Sequence, residues 1–372
     1  MKSNYKTIGE LVEKIDQRNT DGSVTNLIGV SIDKKFISSV ANVIGTDLTK
    51  YKIIEKYDFA VSLMQVSRDE KIPVACQKEF DKAIMSPAYP IFRVKDTRVI
   101  LPEYLEMWFM RPEFDREASF IAVGGVRGSM PWDDFAKMKL PVPSIEEQIG
   151  IVNSYKAVTD RIALKKQIND NLLATAQTIF KSWFVDYEPF DGVCPSTWHI
   201  GCVEDIAEFY DSMRKPLSSL ERADMERLYP YYGAVSIVDY VDDYIFDGEY
   251  LLVSEDGIYV VDENGHPLIQ HISGKFWANN HAHILKGKAG FNEDSLYLFL
   301  ANTNMAPIVT GAAQPKINQA NLKSFPITIP DADVLVKFNR LIQPFFDQRL
   351  TNVSEIKELE TIKELLLSRL AG

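Results

Sequence analysis

The chain has 372 residues, of which 46% are hydrophobic and 25% charged, and its 41 basic and 52 acidic residues give a net charge of −11. This composition is typical of a globular protein of two or three domains and excludes a disordered, collagen-like or disulfide-rich chain. The three cysteines form no CxxC pair, the first residues are too polar for a signal peptide, and no apolar run is long enough to span a membrane. We therefore expect a cytoplasmic protein without a membrane role.

The negative charge is concentrated in one segment, which matters because binding to nucleic-acid phosphates requires exposed lysine and arginine. Nine acidic residues and no lysine or arginine lie between Asp239 and Glu263. The rest of the chain is close to neutral, so the net charge argues only mildly against a nucleic-acid partner.

Residues 1–143 have the mixed pattern of an α/β domain. Strand-like runs such as Phe59–Val66 and Ala83–Val94 alternate with a helical stretch at Pro102–Phe109, where proline takes the first helical position. Several basic and polar side chains of this part are candidate contacts to DNA phosphates or bases, and Arg127 is the preferred one. The candidates are Lys34, Lys35, Arg68, Lys71, Lys78, Arg127 and Ser129.

A long helix is predicted for residues 144–188. Ser144 and Glu147 have the spacing of a capping box, and apolar residues recur at steps of mostly three and four as far as Ile162, then again from Ile168 to Trp183. About 40 residues at about 1.5 Å per residue give a rod of roughly 60 Å, which suits a spacer or a coiled-coil arm.

Residues 189–330 form a second α/β part, with glycine-punctuated strand-like runs such as Tyr244–Val261 and a predicted helix near Asp294–Ala301. Two loops in it, KFWANNH and QPKINQAN, are rich in side chains that form hydrogen bonds. Asn and Gln can read adenine, and Lys or Arg can read guanine, in the major groove; the alternative is that these residues serve only as surface turns. The candidates are Lys275, Trp277, Asn279, Asn280, His281, Gln314, Lys316 and Asn318.

A second long helix is predicted for residues 331–372, with an expected kink at Pro344. Each long helix has a single apolar stripe and needs a partner, so we expect the two to pack on each other. If they pair antiparallel, an approximate twofold axis relates the halves of the chain.

An internal repeat supports this plan. Val123–Pro143 and Val309–Pro330 both show a glycine turn, a polar loop, a short helix-like segment and an extended strand ending in proline, and a long helical pattern follows each. The fold prediction is therefore two α/β domains in tandem, joined by two long helices that pack as an antiparallel coiled coil.

Searches for catalytic motifs find nothing. The sequence has no phosphate-binding loop, dinucleotide fingerprint, nucleophile elbow or HExxH motif, and no N/D-P-P-aromatic tetrapeptide of an adenine methylase. His281 and His283 are the closest histidine pair; as alternating strand residues, one should face inward and one outward, which favours a structural role over metal binding. We predict no catalytic, cofactor-binding or metal-binding residues.

The stretch NDNLLATAQTIFKSWFVDYEPF, Asn169–Phe190, resembles the central conserved region of the DNA-specificity subunits of Type I restriction-modification systems. Further marks of the resemblance are LPVPSIEEQ at Leu140–Gln148, SPAY at Ser86–Tyr89, GKFWANNHAHIL at Gly274–Leu285, and the C-terminal IKELETIKELLLSRLAG. Together they span nearly the whole chain.

The resemblance implies two target-recognition domains, residues 1–143 and 189–330, each reading one half of a bipartite, asymmetric double-stranded DNA sequence. The helices of residues 144–188 and 331–372 would set the spacing and dock two modification subunits, and restriction subunits would join for cleavage. The chain itself would be non-catalytic, with S-adenosylmethionine, ATP and Mg²⁺ bound by partner subunits. The alternative is a two-domain protein–protein adaptor that dimerises through its helices.

Overall fold

The structure is a computed structural model, and it describes residues 5–39, 46–64, 66–125, 128–257, 260–311 and 313–371. The chain divides into two compact units, one comprising Met1–Ala163 with Lys357–Gly372 and the other Leu164–Ile356. Both long helices therefore contribute residues to both units. None of the described helices is long and apolar enough to cross a membrane.

The first unit begins with short strands and helices. Their bounds are β1 (Tyr5–Thr7), α1 (Ile8–Leu11), β2 (Val12–Ile15), β3 (Ile28–Val30), β4 (Phe36–Ser38), β5 (Lys52–Glu55), β6 (Phe59–Val61), α2 (Val66–Asp69), β7 (Val74–Cys76), β8 (Lys82–Met85), β9 (Ile91–Val94), α3 (Pro102–Phe109), α4 (Pro112–Ile121), α5 (Trp132–Lys137) and β10 (Lys139–Pro141). The predicted helix at Pro102–Phe109 is confirmed with the same bounds.

An antiparallel sheet with the strand order β2-β9-β6-β7 organises the first unit, beside the antiparallel pairs β1–β10, β3–β4 and β5–β8. Its core is aromatic: Phe59 and Phe92 stack at 5.2 Å between ring centroids, and Phe109 and Phe135 pack against Phe92. Such rings bury large apolar areas, so they hold the helices on the sheet.

The first long helix, α6, spans Ile145–Phe184. Ser144 Oγ accepts a hydrogen bond from the Glu147 amide at 3.3 Å, and the Glu147 carboxylate accepts one from the Ser144 amide at 2.9 Å, which completes the predicted capping box. Its first turns pack on the core of the first unit through Val152 and Tyr155.

The second unit follows the same plan with longer strands. Its elements are β11 (His199–Cys202), α7 (Val203–Ile206), β12 (Ala207–Phe209), α8 (Ser219–Ala223), β13 (Tyr229–Tyr232), β14 (Ile237–Val241), β15 (Phe246–Ser254), β16 (Ile269–Ala278), β17 (Ala282–Gly287), α9 (Glu293–Ala301), α10 (Gln319–Lys323), β18 (Pro326–Ile329) and the second long helix α11 (Ala332–Ser368). Six strands form a sheet with the order β12-β17-β15-β16-β13-β14, and β11 pairs with β18.

Within the second unit, α6 and α11 run antiparallel. Asn169 lies against Arg349 and Asn352, whereas Phe180, further along α6, lies against Phe338, which comes earlier in α11. Helix α11 continues through Pro344, so the proline removes one backbone hydrogen bond without ending the helix. The predicted mixed α/β fold with two long antiparallel helices is confirmed.

The internal repeat is visible in the topology of both units. In each, a strand leads into a one-turn helix (β1–α1 and β11–α7), and that strand pairs with the last strand before a long helix (β10 and β18). A short helix precedes that last strand in both cases, α5 in the first unit and α10 in the second. The sequence repeat is therefore a repeat of structure.

Candidate nucleic-acid interface

The two polar loops predicted in the second unit lie together in the structure. The amide of Glu255, just beyond the end of β15, donates to the carbonyl of His281 at 2.9 Å, and the amide of Ile317 donates to the carbonyl of Glu255 at 2.9 Å. One loop therefore lies on each side of the Glu255 backbone. Residues that are far apart in the sequence form one surface.

The predicted residues play different parts in this surface. Asn280, His281 and Gln314 are exposed, and the Lys316 side chain is 44% exposed and donates to Glu255 Oε1 at 2.9 Å. The Glu255 hydrogen bond is the main reason why the pKa of Lys316 is raised, so this lysine remains charged. The surface thus presents a cation, two exposed amides and an imidazole.

Other predicted residues shape the loops. Asn279 is buried, and its side-chain oxygen accepts from the His281 amide at 2.8 Å. Asn318 caps α10 by accepting from the Asn321 amide at 2.8 Å. Trp277 donates from its indole nitrogen to the Lys215 carbonyl at 2.6 Å. The side-chain oxygens of Asn279 and Asn318 thus stabilise the turns of the loops, as the alternative of surface turns predicts.

Lys275 has different surroundings from the loop residues. It lies on β16 opposite Asp247, and its Nζ is 4.4 Å from the centre of the Tyr244 ring. A hydrogen bond to Tyr244 raises the pKa of Lys275. Its charge is exposed at the side of the strand.

A charged network that the sequence did not reveal lies beneath the two loops. Arg214 donates to Glu255 Oε2 at 2.7 Å and to the Ala282 carbonyl at 2.7 Å. His283 is fully buried, with Nδ1 2.6 Å from Asp211 Oδ2. Burial by itself would raise the pKa values of Asp211 and Glu255, but the hydrogen bonds and charges of their cationic neighbours leave both lowered.

Asp211, Glu255 and His283 each place one possible metal-ligand atom within 4.8 Å of the others. Both Glu255 oxygens, however, are already bonded to the cations of Arg214 and Lys316, and both His283 ring nitrogens have protein partners. In this charge network, each candidate ligand atom of Asp211, Glu255 and His283 already has a protein partner. The prediction that one of the two histidines faces inward and the other outward is confirmed, since His283 is buried and His281 is exposed.

At least three of the nine acidic residues of the segment between Asp239 and Glu263 have a basic or histidine partner inside the second unit. Asp239 pairs with Arg222 at 2.9 Å, Glu255 with Arg214 and Lys316, and Asp256 with His281. The surface at the two loops is consequently less negative than the sequence suggests.

In the first unit, the structure brings together Arg68 and Ser129. Gly128, with φ +71°, packs so closely on α2 that a Cβ there would lie 2.5 Å from Ser67 Oγ, and the Met130 amide donates to the Leu63 carbonyl at 2.8 Å. The Arg68 side chain is 63% exposed and pairs with Asp69. Arg127, the preferred candidate, lies outside the described residues.

The basic candidates of the first unit are not equivalent. Lys35 and Lys71 are exposed, with Lys71 4.0 Å from Asp33. Lys34 is 6% exposed, and its ammonium bonds the Asp115 carboxylate at 2.7 Å and the Phe109 carbonyl. A lysine held in this way cannot reach a phosphate outside the domain, so the prediction of Lys34 as a DNA contact is wrong and the residue is structural.

Lys78 lies beside the first long helix. It pairs with Glu106 and lines a cavity of about 380 Å³ together with Val152 and Tyr155 of α6. The Glu106 carboxylate outweighs the effect of burial and leaves the pKa of Lys78 raised. Its DNA-binding role stays a prediction.

Comparisons with known proteins agree with one another. Residues 195–365 match the family model described as the Type I restriction modification DNA specificity domain. A 140-residue region is 36% identical to a putative type I restriction enzyme specificity subunit of Haemophilus influenzae, covering 38% of this chain and 35% of the relative. The MjaIX specificity subunit of Methanocaldococcus jannaschii is 24% identical over 300 residues, covering 73% of this chain and 68% of the relative.

The matched region thus spans about a third of the Haemophilus protein and about two thirds of the Methanocaldococcus protein. The crystal structure of a Type-I restriction-modification system S subunit from M. genitalium aligns over 99% of this chain and 96% of its own, with a TM-score of 0.55 and 14% identity. At this identity, the likeness shows a shared fold.

Proposed function

We propose that the chain is a Type I restriction-modification DNA specificity subunit and that it recognises a specific double-stranded DNA sequence, because residues 195–365 match the family model of that domain and the similar proteins are such subunits. Each unit reads one half of a bipartite, asymmetric target. The long helices set the spacing and dock two modification subunits, and restriction subunits join for cleavage. The chain is a non-catalytic recognition subunit, and its partners bind S-adenosylmethionine, ATP and Mg²⁺.

The observation that carries this proposal is the meeting of the two polar loops on Glu255. Exposed donors and acceptors from residues 280–281 and 314–316 lie on one surface, above a network whose charges compensate one another. Reading base edges requires several hydrogen-bonding side chains held in fixed register, because each base pair shows a distinct pattern of donors and acceptors in the major groove. The surface of the second unit meets this requirement.

Individual side chains have chemistry that fits DNA. The Lys316 ammonium can bind guanine acceptors or a phosphate, and the exposed amide of Asn280 can donate to and accept from adenine. In the first unit, Lys35, Lys71 and Arg68 offer exposed cations for phosphates. Arg127 remains a proposed base contact there, and Lys78 and Lys275 remain proposed phosphate contacts.

A binding measurement on the complex with its modification subunits tests the proposal. Lys316→Ala should weaken binding to the target duplex by about 1–3 kcal/mol if the lysine reads a base. Lys337→Ala, an exposed lysine of α11 in the same unit, is the matched control and should leave DNA affinity unchanged.

The salt dependence of the same binding separates this function from the adaptor alternative. Contacts from Lys and Arg to phosphates make affinity fall steeply with ionic strength. Complexes that bind partner proteins yet show no target preference and no salt-dependent affinity for DNA would contradict the proposal and favour the adaptor.

A further inference from the structure

His283 occupies the base of the loop surface in the second unit and is the least accessible member of the charged network. It is fully buried on β17. Its Nδ1 lies 2.6 Å from Asp211 Oδ2, and its Nε2 lies 2.8 Å from the carbonyl oxygen of Ile317. Ile317 directly follows Lys316, so the ring holds the loop that carries the exposed lysine.

Both partners of this ring accept hydrogen bonds. The Ile317 carbonyl has no proton to give. The Asp211 carboxylate already accepts from the Ile284 amide at 2.8 Å and from Gln319 Nε2 at 2.7 Å, and its lowered pKa keeps it ionised. The ring must therefore donate from both nitrogens, which only the imidazolium form can do.

The backbone of Ile317 is fixed on both sides. Its carbonyl meets His283, and its amide donates to the Glu255 carbonyl at 2.9 Å. A neutral imidazole has one N–H and can keep only one of its two bonds, either to Asp211 or to Ile317. In the neutral form, the loop at residues 314–318 loses a support or Asp211 loses a partner.

We propose that His283 is a positioning residue for sequence recognition: its imidazolium fixes Ile317, and thereby Lys316, in the register that reads the DNA. The proposal rests on the DNA-recognition function above. Losing the ring proton or the ring lowers discrimination between target and non-target DNA. Non-specific affinity is retained, because the number of exposed cations on the surface does not change.

The groups that face His283 come from every loop packed around it. Asp211 and Arg214 come from the segment after β12, Glu255 lies 3.6 Å away just beyond β15, and Lys316 bonds that same Glu255. Around the ring, the negative charges of Asp211 and Glu255 are therefore matched by the positive charges of Arg214 and Lys316. Asp256 and His281 form a separate pair closer to solvent.

Two variants separate the two bonds of the ring. In His283→Gln the amide nitrogen stands near the position of Nε2 and can still donate to Ile317, whereas in His283→Asn it stands near Nδ1 and can donate only to Asp211. We expect His283→Asn to lower the ratio of target to non-target affinity about tenfold, with little change in non-specific affinity. We expect His283→Gln to retain most of the ratio.

The pH profile supplies a readout that a merely structural role would not move. The ratio for the wild-type complex should fall when the ring becomes neutral at high pH, because a neutral imidazole keeps only one of its two bonds, and the ratio for His283→Gln should be flat. A His281→Gln variant controls for any contribution of the outer pair of His281 and Asp256. A flat wild-type profile, or equal ratios for the Asn and Gln variants, would overturn the proposal.

Amide hydrogen exchange keeps this inference separate from the DNA-binding function. Without DNA, at one fixed pH, residues 314–318 should exchange faster in His283→Asn than in His283→Gln or the wild type. Equal exchange in all three chains overturns the role of His283 even if DNA binding stands. If the wild type shows no target preference while the exchange difference is present, the recognition function fails and the support of the loop by His283 remains.

Discussion

Lys34 and Asp115 form an ion pair inside the first unit, with side chains 5% and 13% exposed. Removing one partner of a buried pair leaves an uncompensated charge, so Asp115→Asn should lower the free energy of unfolding by about 3–5 kcal/mol. Urea denaturation measures this change. The matched control is Asp96→Asn, which breaks the exposed pair with Arg98 and should have no measurable effect. Equal effects of the two substitutions would contradict a structural role for Lys34.

His271 and Asp294 form a second buried pair, with side chains 8% and 4% exposed and 3.7 Å between Nδ1 and Oδ1. Burial raises the pKa of Asp294 from 3.8 to about 7, helped by the nearby carboxylates of Glu249 and Asp347. Burial also lowers the pKa of His271 from 6.5 to about 4. Between about pH 4 and pH 6.5, the folded pair carries its one proton on Asp294 and the unfolded pair carries it on His271.

The number of bound protons is then the same in both states, so this pair adds no pH dependence to stability across that range. Asp294→Asn leaves His271 alone with a depressed pKa, and stability should then be lost as the pH falls from 6.5 to about 4. The loss is at most about 1.4 kcal/mol per pH unit. His271→Gln should have the opposite slope, with stability falling as the pH rises from 3.8 to about 7. Chemical denaturation over this range measures both slopes. A variant whose stability has the same pH dependence as that of the wild type would contradict the placement of the proton on Asp294 in the folded pair.

For single residues, the sequence indicated which side chains could bind DNA better than it indicated which residues they contact in the fold. The Lys, Asn and Gln of the two loops were recognisable because they are clustered along the chain. Asp211, Arg214 and Glu255 were missed because their contacts join segments of the chain that no local pattern connects. The sequence favours the surface for Lys34 because lysine is rarely buried, and only the fold reveals the Asp115 opposite it.

The two long helices are joined by a polar layer in the second unit. Asn352 is fully buried; it donates to Asn169 Oδ1 at 2.7 Å and accepts from Lys165 Nζ at 3.0 Å, while Lys165 also pairs with Glu355 at 2.8 Å. This layer explains the gap in the apolar stripe between Ile162 and Ile168, which the sequence left as an interruption. A buried polar layer of this kind fixes the register of paired helices.

A double-mutant cycle on Asn169→Ala and Asn352→Ala tests the polar layer. We expect the two substitutions to be non-additive, with a coupling free energy of about 0.5–3 kcal/mol in thermal or urea unfolding. The exposed pair Lys156–Asp160 on α6, with side chains 67% and 61% exposed, is the control and should show almost none. Additive effects at Asn169 and Asn352 would mean that the register is set by the apolar contacts alone.

Helix boundaries were the most predictable elements, because caps and periodicity are local. The start of α6 at Ser144 and the bounds of α3 followed from such signals. The strand order β12-β17-β15-β16-β13-β14 did not, since it depends on pairing between distant segments, including the parallel pair β13–β16.

For the whole molecule, the repeat was the most informative feature of the sequence. It predicted two similar units. In both, the first strand pairs antiparallel with the last strand before a long helix, as the pairs β1–β10 and β11–β18 show. Each unit nevertheless has its own surface side chains, as two different half-targets would require.

Mapping DNA methylation across the genome of a host that carries the complete system tests directly whether the two units read separate halves of one DNA target. Three strains are compared: the wild-type gene, a deletion of the gene, and a loop variant in which the surface residues Asn280, Gln314 and Lys316 are replaced by alanine. We expect one bipartite methylated motif that disappears on deletion, and in the loop variant a loss or relaxation confined to one half of that motif. A motif that survives deletion, or a loop variant that alters both halves alike, would contradict recognition by two separate reading units.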